Sequence, residues 1–165
     1  MNDTVLKIAD KLLAEKQMLA VAESCTGGYI SHLITAVGGS SQWFSGGVVS
    51  YSNEMKRNIL GVKADTLENF GAVSEQTVRE MVCGILKITN ADLGIAVSGI
   101  AGPAGGTAEK PVGTVWIAVG DRTEVVVREF HFSTNRMENI KASANEALDL
   151  LLKLKIRKEE LVINK

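Results

Sequence analysis

The sequence predicts an α/β fold, a three-layer α/β/α sandwich around a mixed sheet. Three observations point there. Apolar runs at residues 18–21, 46–51 and 92–98 have the length and bounding turn residues of buried strands. Segments with apolar residues at helical spacing lie between most of them, which is the pattern of a parallel sheet covered by helices. Late in the chain, residues 112–119 and 124–132 flank Gly120-Asp121-Arg122-Thr123 and read as a hairpin, which adds antiparallel strands.

In order, Asn2, Asp3 and Thr4 offer caps for a helix whose stripe is Val5, Ile8, Ala9, Leu12 and Leu13, ending near Gln17. The first strand runs into Ala22-Glu23-Ser24-Cys25-Thr26-Gly27-Gly28. A helix from Thr26 then follows on Ile30, Leu33, Ile34 and Val37, until Gly38-Gly39-Ser40-Ser41 breaks it. Trp43 and Phe44 lead to the second strand, which Tyr51 closes. Ser52-Asn53 caps a short helix over 54–60, stopped by Gly61. After the connector Gly71-Ala72-Val73, Ser74 starts a longer helix on Val78, Met81, Val82, Ile85 and Leu86. The third strand opens a loop over 99–111 that holds both prolines, and loops of that length inside a domain are commonly functional. Ser133-Thr134-Asn135 caps a final helix with Ile140, Ala144, Ala147, Leu148 and Leu151 on its apolar face.

The 165 residues suit one domain, 1–165, with a substantial core. Eighteen Lys and Arg against 19 Asp and Glu give no charge-driven case for a nucleic acid or a membrane surface as partner. The basic stretch 153–158 reads as the solvated end of the last helix. Cys25, Cys83, His32 and His131 do not assemble into a zinc pattern, and two cysteines suit a reducing compartment. Both histidines read as surface or structural. With no secretory leader and no bilayer-length apolar run, a cytoplasmic protein is expected.

The turn at 22–28 is where chemistry is expected. Ser24 either caps the following helix or presents its hydroxyl as a nucleophile, and first-turn amides can hold a phosphate or an oxyanion. A nucleophilic serine needs a base. Lysine can serve if burial lowers its pKa. Lys56, on the helix after the second strand, and Tyr51, at the end of that strand, can both point to the carboxyl edge of the sheet. Ser24 and Ser98 lie at the same edge, where open α/β sheets gather ligands. The competing readings are a packing aromatic for Tyr51 and a solvated charge for Lys56. Cys25 is either a rival nucleophile, since thiolates at helix N-termini have lowered pKa values, or a small packing residue. The glycine-rich run 98–103 matches no phosphate fingerprint, yet it can bring backbone amides against a nucleotide.

Taken together, Ala22-Glu23-Ser24-Cys25-Thr26-Gly27-Gly28, Tyr51-Ser52-Asn53-Glu54-Met55-Lys56, Gly71-Ala72-Val73-Ser74, Ser98-Gly99-Ile100-Ala101-Gly102-Pro103 and Glu109-Lys110-Pro111-Val112-Gly113-Thr114-Val115 carry a resemblance over nearly the whole chain. The sequence resembles the C-terminal domain of the competence-damage-inducible CinA family, which includes stand-alone nicotinamide mononucleotide amidohydrolases. The resemblance implies hydrolysis of that nucleotide's carboxamide to nicotinate mononucleotide and ammonia, with no cofactor and no metal. It implies Ser24 as nucleophile and Tyr51 and Lys56 as acid/base partners. Ser98 would hold the substrate amide, with Cys25, Thr26, Gly27 and Gly99 beside it. Arg136 matches the arginine of the family's Gly-Asp-Arg and would be a substrate-binding cation, although Thr134 and Asn135 depart from that pattern. Larger members carry an N-terminal domain that cleaves nucleotide diphosphates, an activity not expected of this chain. The expected partners are a small nucleotide substrate and further copies of the chain, as a homo-dimer or larger, with Trp43, Phe44 and Leu161 as candidate exposed contacts. The alternative is a non-catalytic nucleotide-sensing module. A third reading, a competence or recombination protein on DNA, is opposed by the near-neutral charge.

Overall fold

Alternation of side chains along five strands divides the core between two helical layers. The structure, a computed structural model, describes residues 3–163, with side chains for residues 3–161. The strands are β1 (Leu19–Glu23), β2 (Phe44–Val49), β3 (Leu93–Gly99), β4 (Thr114–Gly120) and β5 (Val125–His131), in spatial order β2-β1-β3-β4-β5. β1 pairs in parallel with β2 and β3, and β3, β4 and β5 pair antiparallel, so the sheet is mixed. On one face Leu19, Val21, Ile95, Val97, Ile117 and Val119 meet helices α1 (Asp3–Glu15), α2 (Tyr29–Thr35) and α6 (Arg136–Ile163). The other face carries Ala20, Ala22, Ala96 and Ala118. These small residues let α5 (Glu75–Thr89) lie close on Val78, Met81, Val82 and Ile85, with α4 (Ala64–Phe70) packed on α5. Helices therefore cover both faces, and the fold is the α/β/α sandwich the pattern indicates.

The first departure from the sequence reading is at the start of α2. β1 runs on to Glu23, and its alternation turns that side chain toward the α2 layer. Glu23 is 0% exposed. Its Oε2 accepts the Gly28 and Ile30 amides at 3.0 and 3.1 Å, and its Oε1 accepts the Ser31 amide and hydroxyl at 2.9 and 2.7 Å. Gly28, at φ 98°, makes the left-handed turn that delivers those amides. α2 thus begins at Tyr29 rather than Thr26, and Ser24 does not cap it. A carboxylate outcompetes a serine hydroxyl as acceptor at the positive end of a helix, so the first-turn amides are closed to a phosphate or an oxyanion.

Other boundaries shift for similarly local reasons. β2 ends at Val49, which leaves Tyr51 beyond the strand, and α3 (Asn53–Asn58) starts where the Ser52 hydroxyl accepts the Met55 amide. The Ser74 hydroxyl likewise accepts the Thr77 amide at the start of α5, and Asn135 accepts the Glu138 amide at the start of α6. α4 is a helix that apolar spacing does not announce. Asn2, one of the expected caps of α1, lies outside the described residues.

The basic stretch of α6 is not simply solvated. Lys155 is 4% exposed and donates to Glu15 and Gln17 at 2.7 and 2.8 Å, while Arg157 pairs with Glu124 and Lys158 with Asp121. These bonds strap α6 to the end of α1 and to the β4–β5 turn. Trp43 is 1% exposed and Phe44 half-buried, so neither offers the exposed contact expected of it; Leu161 is exposed. Cys25 and Cys83 are both free, and His32 and His131 are exposed. Among the described residues no helix is long and apolar enough to cross a membrane.

Substituting Glu23→Gln puts an amide donor against backbone donors at the start of α2. The expected loss is about 2–3 kcal/mol of unfolding free energy, read from chemical denaturation. A loss under about 0.5 kcal/mol would show that the carboxylate is not the anchor.

Candidate active site

The parallel strands β1, β2 and β3 all end at one edge of the sheet, and their continuations build the site. The Ser24 amide donates to Val97 O at 3.0 Å and the Ser50 amide to Glu23 O at 2.8 Å. The ladder thus reaches one residue past β1 and past β2 and fixes both serines. The chain then turns through Tyr51 and Ser52 into α3, which carries Lys56 inward. Lys56 is 1% exposed, and its Nζ donates to Ser24 Oγ at 2.9 Å and to Ser50 O at 2.8 Å. Among the described residues no carboxylate forms an ion pair with it. Burial therefore pushes the Lys56 pKa below its ordinary value, with Cys25 acting weakly the other way. A neutral amine there keeps the bond to Ser50 O and turns its lone pair to the Ser24 hydroxyl, which becomes the donor.

Burial acts on Cys25 in the opposite sense and pushes its thiol up to about 12. The helix-terminus argument for a reactive Cys25 thiolate fails, because the α2 amides belong to Glu23 and the sulfur is buried.

The Ser24–Lys56 pair opens on a cavity of about 280 Å³ that Tyr51, Asn53, Ser98, Gly99 and Arg136 also line. The Ser98 hydroxyl donates to Ala72 O at 2.7 Å, which ties β3 to the loop before α5 and leaves its oxygen free to accept. Tyr51 is 60% exposed, and its hydroxyl accepts from Arg136 Nη2 at 2.8 Å. No hydrogen bond among the described residues joins Tyr51 to Ser24 or Lys56, so the lysine meets the serine directly. Arg136 Nη1 donates to Gly102 O at 2.6 Å. Gly102 takes φ 91° to present that carbonyl, and a Cβ there would meet Val112 Cγ1 at 2.6 Å. A second cavity, of about 350 Å³, adjoins the first along Cys25, Tyr51 and Arg136. Thr26 and Gly27 line this one and not the first. The buried Thr26 hydroxyl has no hydrogen-bond partner among the described residues.

Sequence reasoning missed two contributors. Asn53 reads in the sequence only as a cap, yet it lines the first cavity. Asn139, fully buried on α6, donates to Ala101 O and Thr134 O at 3.0 Å each, and its oxygen accepts the Thr134 amide and hydroxyl. It locks the glycine loop to the start of α6, beside Arg136. The one available signal was an amide side chain next to Ile140 at the edge of the apolar face.

Fold and site together define a mixed-sheet α/β/α protein with a buried serine–lysine pair at the carboxyl edge of its parallel strands. The chain belongs to the CinA family: the model for the CinA C-terminal domain matches residues 2–155. A CinA-like protein of Thermotoga neapolitana is 53% identical over 155 residues, which are 93% of this chain and 38% of that protein. The chain thus spans little more than a third of the length of the curated relatives it matches. Among solved structures, the competence/damage inducible protein CihA of Agrobacterium tumefaciens is 41% identical with a TM-score of 0.90, covering 92% of this chain and 93% of that one. A CinA superfamily protein of Klebsiella pneumoniae is 36% identical with a TM-score of 0.91, covering 95% and 99%.

The buried lysine makes stability depend on pH. Between the lowered pKa of Lys56 and its ordinary value of 10.5, the unfolded chain holds a proton that the folded chain has released, so folding gains as pH rises. The difference in unfolding free energy between the wild type and Lys56→Met is expected to rise across that window, by up to about 1.4 kcal/mol per pH unit. A pH-independent difference in denaturation midpoints would contradict the lowered pKa.

Proposed function

We propose that this chain is an amidase that hydrolyses the carboxamide of nicotinamide mononucleotide to nicotinate mononucleotide and ammonia, with Ser24 as nucleophile and Lys56 as its base. The observation that carries the reading is the 2.9 Å contact between the Ser24 hydroxyl and a buried lysine amine that has no ion-pair partner among the described residues. Neutral Lys56 takes the Ser24 proton as Oγ bonds to the carboxamide carbon and its oxygen becomes an oxyanion. Collapse breaks the C–N bond, the proton held by the lysine ammonium is returned to the nitrogen, and ammonia leaves. Water then gives a proton to Lys56 and attacks the acyl carbon. The bond to Oγ breaks, Oγ recovers the proton, and the acid product ionises.

The oxyanion site is not the start of α2. Of the amides in the turn, those of Cys25 and Thr26 lack a carbonyl or carboxylate acceptor among the described residues, and they directly follow the nucleophile. The nucleotide reading of the substrate is supported by the family resemblance, by the backbone-rich loop along the cavity, and by Arg136 as a cation at its rim.

Ammonia release from nicotinamide mononucleotide tests this. Ser24→Ala and Lys56→Arg are each expected to lower kcat by about 10³-fold or more, the arginine because it keeps its proton. Cys25→Ser should stay within about threefold of wild type. In the wild type, kcat/KM should fall as pH drops through the lowered pKa of Lys56, because the protonated amine cannot accept. Full activity in Ser24→Ala, or turnover that chelation abolishes and metal restores, would overturn the mechanism. Binding without turnover would point instead to a nucleotide-sensing module.

A further inference from the structure

The geometry points to Arg136 and Tyr51 as a specificity-determining pair: Arg136 holds the Tyr51 hydroxyl off the Ser24–Lys56 pair until an anionic group on the substrate takes its place. This rests on the amidase reading above. It adds that a phosphorylated amide is turned over faster, and not only bound more tightly, than its uncharged counterpart.

The pair stands where the two cavities meet, since Tyr51 and Arg136 line both. Both ends of the guanidinium are engaged, Nη1 on Gly102 O and Nη2 on the Tyr51 hydroxyl. The partner of Nη2 is a phenol hydroxyl, and a phosphate is a far stronger acceptor for a guanidinium fork. Among the described residues no carboxylate lines either cavity; of the other basic side chains there, Lys56 is buried against Ser24 and His32 lies on the second cavity only, whereas Arg136 lines both. An incoming anion is therefore directed to Arg136, where it competes with Tyr51.

Tyr51 is built to be released. Its ring is mostly exposed, while the chain on either side is held by the Ser50 ladder bond and the Ser52 cap. Once free, its hydroxyl can serve the cavity it already lines. It gives its proton to the departing nitrogen and takes one from the Lys56 ammonium, so no proton is gained or lost. Arg136 acts through Tyr51 and is a positioning residue, whereas Tyr51 touches the reacting atoms.

The test measures kcat and KM separately for nicotinamide mononucleotide and nicotinamide riboside, with and without inorganic phosphite, in wild type, Arg136→Ala, Tyr51→Phe and the double variant. In wild type, kcat for the nucleotide should exceed that for the nucleoside by about tenfold or more, and phosphite should raise the nucleoside kcat. Arg136→Ala should raise KM for the nucleotide, yet raise the nucleoside kcat about tenfold and abolish the phosphite effect. Tyr51→Phe should remove the kcat difference in either background. An unchanged nucleoside kcat in Arg136→Ala would make Arg136 only a binding cation, and a fall for both substrates would make it only structural; either result overturns the proposal. Absence of phosphite activation in wild type overturns it without any variant. Absence of Ser24-dependent ammonia release from both substrates would instead overturn the amidase reading beneath it.

Discussion

A lysine amine is buried against a serine hydroxyl with no counter-charge paired to it among the described residues, and the rest of the site follows from that contact. Taking an ammonium out of water without an anion is costly, and a protein relieves the cost by favouring the neutral amine. The surroundings suit that form. The Ser50 carbonyl accepts from Lys56 whether or not the amine is charged, and the Ser24 contact reverses its donor as the proton moves. Two ladder bonds beyond the strand ends and one helix cap hold the three residues in place. Precision comes from backbone hydrogen bonding, which resists small packing changes.

Glu23 explains why the local electrostatics remain this way. It sits next to Ser24 in sequence, is fully buried and has a charge opposite to that of Lys56, yet the two are not paired. Strand alternation sends the carboxylate to the α2 layer, where backbone amides and a hydroxyl consume both oxygens. Had Glu23 reached Lys56, the amine would be held charged and could not act as a base. The same arrangement ties up the amides at the start of α2 and leaves those of Cys25 and Thr26, in the turn after Ser24, without a carbonyl or carboxylate acceptor among the described residues.

The sheet and its two layers were legible because period-2 and period-3.6 patterns report burial directly, as in β3 and α5. The carboxyl-edge placement of Ser24, Ser98 and Lys56 followed from strand order. What could not be read was who satisfies whom. Glu23 looks like a turn residue until the strand is known to include it. Lys155 and Lys56 both look like solvated helix charges, and only the packing of α6 and α3 shows each to be buried. Asn139 carries no periodic signal, because its bonds reach a loop far away in sequence. The position of Tyr51 after the second strand places it at the carboxyl edge, but its partner, Arg136, arrives from the start of the last helix.

The most direct measurement is the titration of the Lys56 amine itself, followed by NMR of lysine labelled at the ε-carbon, with Lys56→Met to assign its signal. A midpoint below the ordinary 10.5 is expected, together with a signal that shifts in Ser24→Ala, whose hydroxyl no longer meets the amine. A midpoint at or above 10.5, with no response to the loss of Ser24, would contradict the central claim that this lysine is poised as a neutral base.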